Sequence, residues 1–386
     1  MTHALLTHEI GSLSKPAWRV KGFAGKPLSE AEIKDAQTWG ERLAVPDYQD
    51  LIALLEKGTL TKEDRQPLKE WASLYGMRLL ESAGLELVYD GEQQRSEMYA
   101  AAVALAKGFE FLGTVRSFDN KYYNKAAVRG PISLKGPFHD EEFEFLKQRA
   151  TSALKVPITG AYTIADWSFD EYYNTSDLLS MDVATRHKVS ESARRDFVLD
   201  VARNLIRPNL QSLIALGAEW IQVDEPGGST EPDELDLFVE SFNVSVEGLD
   251  ATFSTHLCFS DYELFFPAIE GMTECQQFCV GFANDDTAEL GTTDDQRPGY
   301  RIIKKFRDLP YEPALGLGVL DIHTDFIEPP ELVRDRIIYA VETFGGPERI
   351  HVTPDCGLRT RTWDVAYSKL VNMVAGVELA KKELGL

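Results

Sequence analysis

Three residues of this sequence carry side chains that bind soft metal ions, and each lies near the end of a strand-like run. His256 and Cys258 are two positions apart in ATFSTHLC, so on a strand their side chains point to the same face. Cys356 ends the run RIHVTPDC. One imidazole with two thiolates is a ligand set typical of zinc. For the first pair alone, a packed histidine and an inert thiol are the favoured interpretation; the third residue favours a metal site.

The elements that must position these residues alternate along the chain. Helical patterns, with apolar residues recurring at every third and fourth position, separate most of the strand-like runs. Strands that alternate with helices pair in parallel, and eight such units predict an α/β fold closed as a (β/α)8 TIM barrel. No GxGxxG motif follows the first strand, which disfavours a dinucleotide-binding sheet. The eight runs are 7–12, 85–91, 156–162, 219–225, 251–258, 276–283, 313–323 and 349–356.

Two insertions elaborate the predicted barrel. Residues 29–84, approximately, are expected to form two or three helices in an extended first unit. Residues 109–137, approximately, have the pattern of a β-hairpin. No low-complexity linker interrupts the chain, so residues 1–386 are predicted to form a single catalytic domain.

Active-site residues of such barrels lie at the carboxyl ends of the strands, and several further strand ends here are polar. The fifth and eighth strands face each other across the barrel mouth, so the three metal-binding side chains can converge. Any one of the other polar residues could be a loop cap or part of a salt bridge. Several carboxylates together would repel one another unless they bound a cation, such as the ammonium of a substrate. The polar residues at these further strand ends are Ser12, Asp90, Glu92, Asp224, Glu225, Asp321 and His323.

The bulk composition excludes several classes of partner. The chain has 386 residues and a formal net charge of −22, which disfavours binding to nucleic acid or to an anionic membrane. No apolar run is long enough to span a bilayer, and the N-terminus lacks the pattern of a secretory signal. A cytoplasmic location is therefore predicted, and the four cysteines are expected to be free thiols.

Ordered motifs along the chain resemble the catalytic half of cobalamin-independent methionine synthase. The resemblance runs from about residue 7 to the C-terminus. The chain is similar to the short, single-barrel members of that family, which lack the N-terminal duplicate domain. It implies a methyltransferase of methionine biosynthesis that methylates homocysteine. The motifs are HEIGS near the start, DGEQQRSEM (90–98), TGAYTIADWS (159–168), IQVDEP (221–226), STHLC (254–258), GLGVLDIH (316–323) and TPDCGLRTR (353–361).

The resemblance also implies a role for each matching residue. Zinc would be bound by His256, Cys258 and Cys356. The ammonium of homocysteine would be bound by Glu92 and Asp224, and its carboxylate by Ser12 and adjoining backbone. His323 would transfer a proton near the methyl donor, and Trp167 would stack on the pterin of methyltetrahydrofolate. The homocysteine site would in full comprise Ile10, Ser12, Glu92, Met98 and Asp224.

One position departs from the family pattern. The family's fourth zinc ligand is a glutamate at the end of the sixth strand, where this chain has Gly281. Cys279 lies two residues earlier, on the same strand face, and is a candidate fourth ligand. The alternative is a core thiol at Cys279 and a zinc ion with three protein ligands and one open position.

The chemistry expected from this resemblance is alkyl transfer to a thiol. A free thiol has a pKa of about 8.5, so zinc is needed to supply thiolate at neutral pH. His323 would act as the general acid for an amine leaving group. The donor is open among a methyl-corrinoid protein, methyltetrahydrofolate and another small donor. The missing duplicate domain and the acidic composition slightly favour a corrinoid or undefined donor over folate polyglutamate.

Three other functions are open on the sequence. Alkyl transfer to another thiol, such as coenzyme M, is disfavoured by Glu92 and Asp224, because a sulfonate thiol has no ammonium. A non-catalytic barrel that binds zinc or an amino acid is disfavoured because His256, His323 and both cysteines are retained. A purely structural barrel is disfavoured, because it would not account for the polar residues at nearly every strand end.

Overall fold

Parallel strands form the centre of the computed structural model, which describes residues 4–116, 122–174 and 178–386. In these ranges the central sheet has seven strands in the order β1-β4-β6-β7-β8-β9-β10, and all its pairs are parallel. The strands in chain order are β1 (Leu87–Val88), β2 (Ala106–Arg116), β3 (Tyr122–Leu134), β4 (Ala153–Thr159), β5 (Phe169–Asp170), β6 (Trp220–Asp224), β7 (Thr252–Leu257), β8 (Gln277–Val280), β9 (Ala314–Gly318) and β10 (Ile350–Thr353).

The N-terminal segment joins the two edges of this sheet. Thr7 forms a parallel bridge with Val352 of β10, and His8 forms one with Leu87 of β1. The His8 N–H donates to the Val352 carbonyl at 3.1 Å, and the Leu87 N–H donates to the Thr7 carbonyl at 3.1 Å. Residues 7–8 therefore occupy the place of an eighth strand, and the predicted (β/α)8 barrel is confirmed.

Helices cover the outside of the barrel and bury its apolar strands. None of the helices in the described ranges is long and apolar enough to cross a membrane. The helices are α1 (Ala17–Phe23), α2 (Glu30–Arg42), α3 (Tyr48–Leu55), α4 (Arg65–Ser82), α5 (Met98–Ala104), α6 (Asp140–Lys147), α7 (Ala161–Asp166), α8 (Val183–Val201), α9 (Arg207–Ala215), α10 (Leu235–Val246), α11 (Ile303–Arg307), α12 (Pro330–Phe344) and α13 (Trp363–Leu384).

Both predicted insertions are present. The extended first unit contains α2, α3 and α4, and α2 begins with a capping box in which the Ser29 N–H donates to Glu32 Oε2 at 2.7 Å. The hairpin is formed by the antiparallel pair β2 and β3, which starts slightly earlier than predicted, at residue 106. Residues 117–121 of the predicted insertion lie outside the described ranges. The single-domain organisation stays a prediction.

The interior of the barrel below its mouth is polar. Lys155 of β4, Gln222 of β6 and Gln277 of β8 are fully buried. Gln277 Nε2 lies 3.0 Å from His8 Nε2 and 2.8 Å from His351 Nδ1. Buried polar groups with partners on several strands fix one arrangement of their side chains, because each lost bond is costly in a low-dielectric interior. This layer lies directly under the strand ends that carry the predicted site.

Candidate active site at the barrel mouth

The three predicted metal-binding side chains converge. His256 lies on β7, Cys258 follows the strand, and Cys356 lies three positions beyond the last residue of β10. Their ligand atoms all lie within 4.8 Å of one another. His256 Nε2 is 3.3 Å from Cys356 Sγ, and Cys258 Sγ is 3.5 Å from Cys356 Sγ. One imidazole and two sulfur atoms at these distances can share a single soft metal ion.

The orientation of the His256 ring fits this use. Its Nδ1 lies 3.2 Å from the backbone carbonyl oxygen of Cys279 on the neighbouring strand β8. A carbonyl only accepts, so this contact assigns the proton to Nδ1 and leaves the Nε2 lone pair facing Cys356. A bond from the non-ligating nitrogen to a carbonyl is the usual support of a metal-bound histidine. The donor set therefore fits zinc in both composition and orientation.

The space beside Gly281 is filled by Asp355. A Cβ on Gly281 would lie 3.1 Å from both the Cβ and the carbonyl oxygen of Asp355. The Asp355 carboxylate accepts backbone N–H bonds from Phe282, Ala283 and Asn284 at 3.2, 3.0 and 2.8 Å. This acid closes the loop after β8 onto the loop after β10. A Cβ at position 281 would be in tight contact with Asp355, which glycine avoids.

The structure does not place Cys279 with the three converging ligands. Its Sγ lies 3.5 Å from Gln277 Oε1 and 3.8 Å from Gln222 Oε1, in the polar layer under the mouth. Two amide oxygens require a donor, so these contacts favour a protonated thiol. Burial, chiefly, raises the pKa of Cys279 to about 12. The geometry thus favours a core thiol at this position.

Two buried carboxylates lie at other strand ends. Glu92 has a left-handed backbone with φ of +58°, and its N–H donates to Asp90 Oδ1 at 2.7 Å. Its carboxylate is close to Gly11, since a Cβ there would lie 3.4 Å from Glu92 Oε1. Burial, chiefly, raises the pKa of Asp224 to about 7, and the charge of Glu92 raises it further. A cation between Glu92 and Asp224 would relieve that repulsion.

The loop after the N-terminal segment lies against the loop that carries Cys356. A Cβ on Gly357 would lie 2.8 Å from both the backbone nitrogen and the carbonyl oxygen of Ser12. Only glycine allows this approach, and it brings the Ser12 backbone next to Cys356, a predicted metal ligand. The buried Ile10 accepts a bond at its carbonyl from Gln222. Met98 begins α5 and is half-buried.

His323 and Trp167 are the two predicted donor-side residues. The exposed His323 ring packs against Phe259, with ring centroids 4.3 Å apart. Because Phe259 follows Cys258 directly, His323 contacts the loop that carries a predicted metal-binding thiol. The half-buried Trp167 packs against Tyr123 of the hairpin at 5.3 Å and against Tyr99 of α5 at 6.1 Å. The hairpin insertion therefore supports Trp167.

Comparison with known proteins assigns the chain to a family. A family model described as "Cobalamin-independent synthase, Catalytic domain" matches residues 47–381. The chain belongs to the cobalamin-independent methionine synthase family. Methionine synthase of Thermoplasma volcanium is 37% identical over 347 residues, which cover 88% of this chain and 96% of the relative. That of Thermoplasma acidophilum is 35% identical over 388 residues, which cover 99% of both chains.

Solved structures agree with the fold of this family. A B12-independent methionine synthase from Shewanella sp. W3-18-1, in complex with selenomethionine, matches with a TM-score of 0.72 and 21% sequence identity over 99% of both chains. The resemblance seen in the sequence motifs is thus confirmed. Membership of the cobalamin-independent methionine synthase family implies methyl transfer to homocysteine.

Several residues of this family site were not singled out from the sequence. Gln222 and Lys155 hold the polar layer under the mouth. Buried Lys369 of α13 donates to Glu328 Oε2 at 2.8 Å and to the Asp321 carbonyl at 2.9 Å, which anchors the loop that carries His323. Gln222 could have been identified from the sequence, because it lies two residues before Asp224 and so shares its strand face. Lys155 and Lys369 could not be identified in this way, since each lies within an apolar pattern.

Proposed function

We propose that this protein is a zinc-dependent methyltransferase that moves a methyl group to the thiol of homocysteine and forms methionine. The observation that carries the proposal is the convergence of His256, Cys258 and Cys356 at the barrel mouth. The buried carboxylates of Glu92 and Asp224 at other strand ends supply the complement of an amino acid's ammonium.

Three side chains would hold the metal: His256 through Nε2, and Cys258 and Cys356 through Sγ. A bound zinc ion supplies a Lewis acid that keeps the substrate thiol deprotonated and nucleophilic at neutral pH. Asp355 occupies the space beside Gly281 and bonds to three backbone N–H groups, so it is committed elsewhere. These three side chains would hold the zinc ion, and the substrate sulfur would bind it beside them.

The remaining site residues orient the substrate. Glu92 and Asp224 bind the ammonium, the backbone from Ile10 to Ser12 binds the carboxylate, and Met98 lines the path of the side chain. With both ends of the amino acid held, its sulfur is directed to the metal ligands. Methyl transfer forms an S–CH3 bond as the bond from the methyl carbon to the donor breaks, which requires an in-line approach.

A methyl-corrinoid is the proposed donor. The net charge of −22 disfavours the polyanionic tail of a folate polyglutamate. A corrinoid, in addition, leaves as a reduced metal complex that takes up no proton. His323 is exposed and packs against Phe259, which follows Cys258, and it would be needed only for a donor whose leaving group is an amine.

The donor proposal predicts a split effect of His323→Gln. We expect turnover with methyltetrahydrofolate to fall about 100-fold or more, because general acid catalysis contributes that much for a poor leaving group. Turnover with methylcobalamin should change little. The assay is methionine formation with each donor, and His187→Gln on the exposed face of α8 is the matched control. An equal loss with both donors would contradict the assigned role of His323.

The proposed function is tested by metal content and substrate binding on the same samples. Elemental analysis should find one zinc ion per chain, and calorimetry in two buffers should find that homocysteine binding releases a proton. Methionine should form from homocysteine and methylcobalamin. Protein that neither retains nor takes up zinc, or that binds homocysteine without zinc equally well, would sink the proposal.

The three-ligand site predicts that Cys279→Ser keeps its zinc. The Cys279 sulfur lies among amide oxygens of Gln222 and Gln277, and serine can donate to the same oxygens. We expect zinc content equal to that of the wild type. Cys258→Ser, measured in parallel, should lose most of its zinc. Metal loss in Cys279→Ser at unchanged melting temperature would instead make Cys279 the fourth ligand.

A further inference from the structure

Gln222 links two parts of the homocysteine site from below. It is fully buried on β6 and lies two residues before Asp224, so both side chains face the barrel interior. Its Nε2 donates to Asp224 Oδ1 at 2.6 Å and also to the carbonyl oxygen of Ile10. Both amide hydrogens are thus used on groups that the proposed function assigns to substrate binding.

Lys155 fixes which way the Gln222 amide points. The Lys155 ammonium is fully buried and donates to Gln222 Oε1 and to the Glu9 carbonyl oxygen. An ammonium has only donors, so the amide oxygen must face Lys155. The NH2 group then has to face Asp224 and Ile10. In the described ranges Lys155 forms no salt bridge, and its remaining partner is His8 Nδ1 at 2.9 Å.

This arrangement sets the orientation of the Asp224 carboxylate. Within the described ranges, the bond from Gln222 is the one hydrogen bond to that carboxylate, and it engages only Oδ1. Rotation about the terminal side-chain torsion would break this bond, so Oδ2 keeps a defined position. A substrate-binding group is effective only when neighbouring bonds hold its rotamer in place.

We propose that Gln222, oriented by Lys155, is a positioning residue that aims Asp224 at the substrate ammonium and thereby sets the preference for an α-amino thiol over a thiol without an amine. The inference rests on the proposed function, because Asp224 is taken to bind the ammonium of homocysteine. It adds two residues to the site, neither of which reaches the substrate. Specificity here is a difference of affinities between two thiols that share every group but one.

The test compares homocysteine with 4-mercaptobutanoate, which is homocysteine without its amine. Calorimetry on zinc-loaded Gln222→Met should find homocysteine binding about 10- to 100-fold weaker, the usual effect of losing a hydrogen bond to a charged group. Binding of 4-mercaptobutanoate should change by less than about threefold, since that thiol does not use Asp224. Zinc content should stay at the wild-type level. Equal weakening of both thiols would mean a merely structural role and would overturn the inference.

A second variant guards against misfolding, and a double-mutant cycle isolates the coupling. Gln222→Glu keeps the size and the acceptor for Lys155 but replaces the amide donors by a carboxyl oxygen, which repels Asp224 or shares one proton with it, and a selective loss of homocysteine affinity is again expected. In an Asp224→Asn background, Gln222→Met should cost little further homocysteine affinity; additive losses would overturn the inference. Wild-type protein that binds both thiols equally would refute the proposed amine recognition itself. A wild-type preference that survives in Gln222→Met and Gln222→Glu would refute only the role of Gln222.

Discussion

Replacing Cys356 by alanine should remove the bound zinc and almost all methyl transfer. Its Sγ lies 3.3 Å from His256 Nε2 and 3.5 Å from Cys258 Sγ, so it is the neighbour that the other two ligands share. Two remaining ligands cannot hold the metal tightly. Turnover should fall at least about a thousandfold, because a Lewis acid contributes several kcal/mol to the transition state. Elemental analysis and initial rates of methionine formation measure the two effects.

The matched control is Cys275→Ala. Cys275 is a buried thiol outside the metal-binding cluster, and it donates to the Gln277 carbonyl oxygen at 3.2 Å. This control should keep its zinc, although it can lose some stability through the small cavity. Full zinc occupancy in Cys356→Ala, or equal zinc loss in both variants, would contradict the assigned cluster.

Replacing Glu92 by glutamine should abolish tight binding of homocysteine while zinc is retained. The change keeps the shape of a buried side chain but removes the charge proposed to bind the substrate ammonium. The dissociation constant should rise at least about 30-fold, because removing one partner of a buried charge pair costs roughly 2–5 kcal/mol. Calorimetry on zinc-loaded protein measures the change.

Glu312→Gln is the control for this substitution, because Glu312 is exposed and lies at the opposite end of its strand from the barrel mouth. It should bind homocysteine like the wild type. If Glu92→Gln binds homocysteine normally, Glu92 has no part in amine recognition. If it weakens 4-mercaptobutanoate as strongly as homocysteine, the substitution has disturbed the mouth as a whole.

The convergence of the metal-binding residues could be predicted from the sequence. Strand periodicity gave the barrel, and parallel strands present all their carboxyl ends at one rim, so His256, Cys258 and Cys356 had to lie there. The same rule gave the face of Cys279 but not its depth. Cys279 is in register with His256, two residues before Cys258 along the strands, but its side chain is shorter than the imidazole and ends against the amide oxygens of Gln222 and Gln277.

The supporting residues could not be predicted, because their roles arise between distant segments. In the sequence, Asp355 is part of a strand-end motif. In the structure, its carboxylate accepts hydrogen bonds from a loop that lies 71 to 73 positions earlier in the chain. Lys155 lies in an apolar run and meets Gln222 across a separation of 67 positions. Strand patterns state which face a side chain occupies, whereas these bonds depend on which side chains meet inside the closed barrel.

The pairing of the N-terminal segment with β10 closes the ring of strands next to the proposed substrate site. Thr7 bridges Val352, and chain entropy opposes a contact between segments that are nearly the whole chain apart. Ile10 and Ser12 follow this segment directly, so the backbone proposed to bind the substrate carboxylate is in place only when the ring of strands is closed. A bound amino acid should therefore stabilise the contact between the N-terminal segment and β10. Amide exchange at His8, whose N–H donates to Val352, should slow when homocysteine binds; an unchanged rate would show that closure and binding are independent.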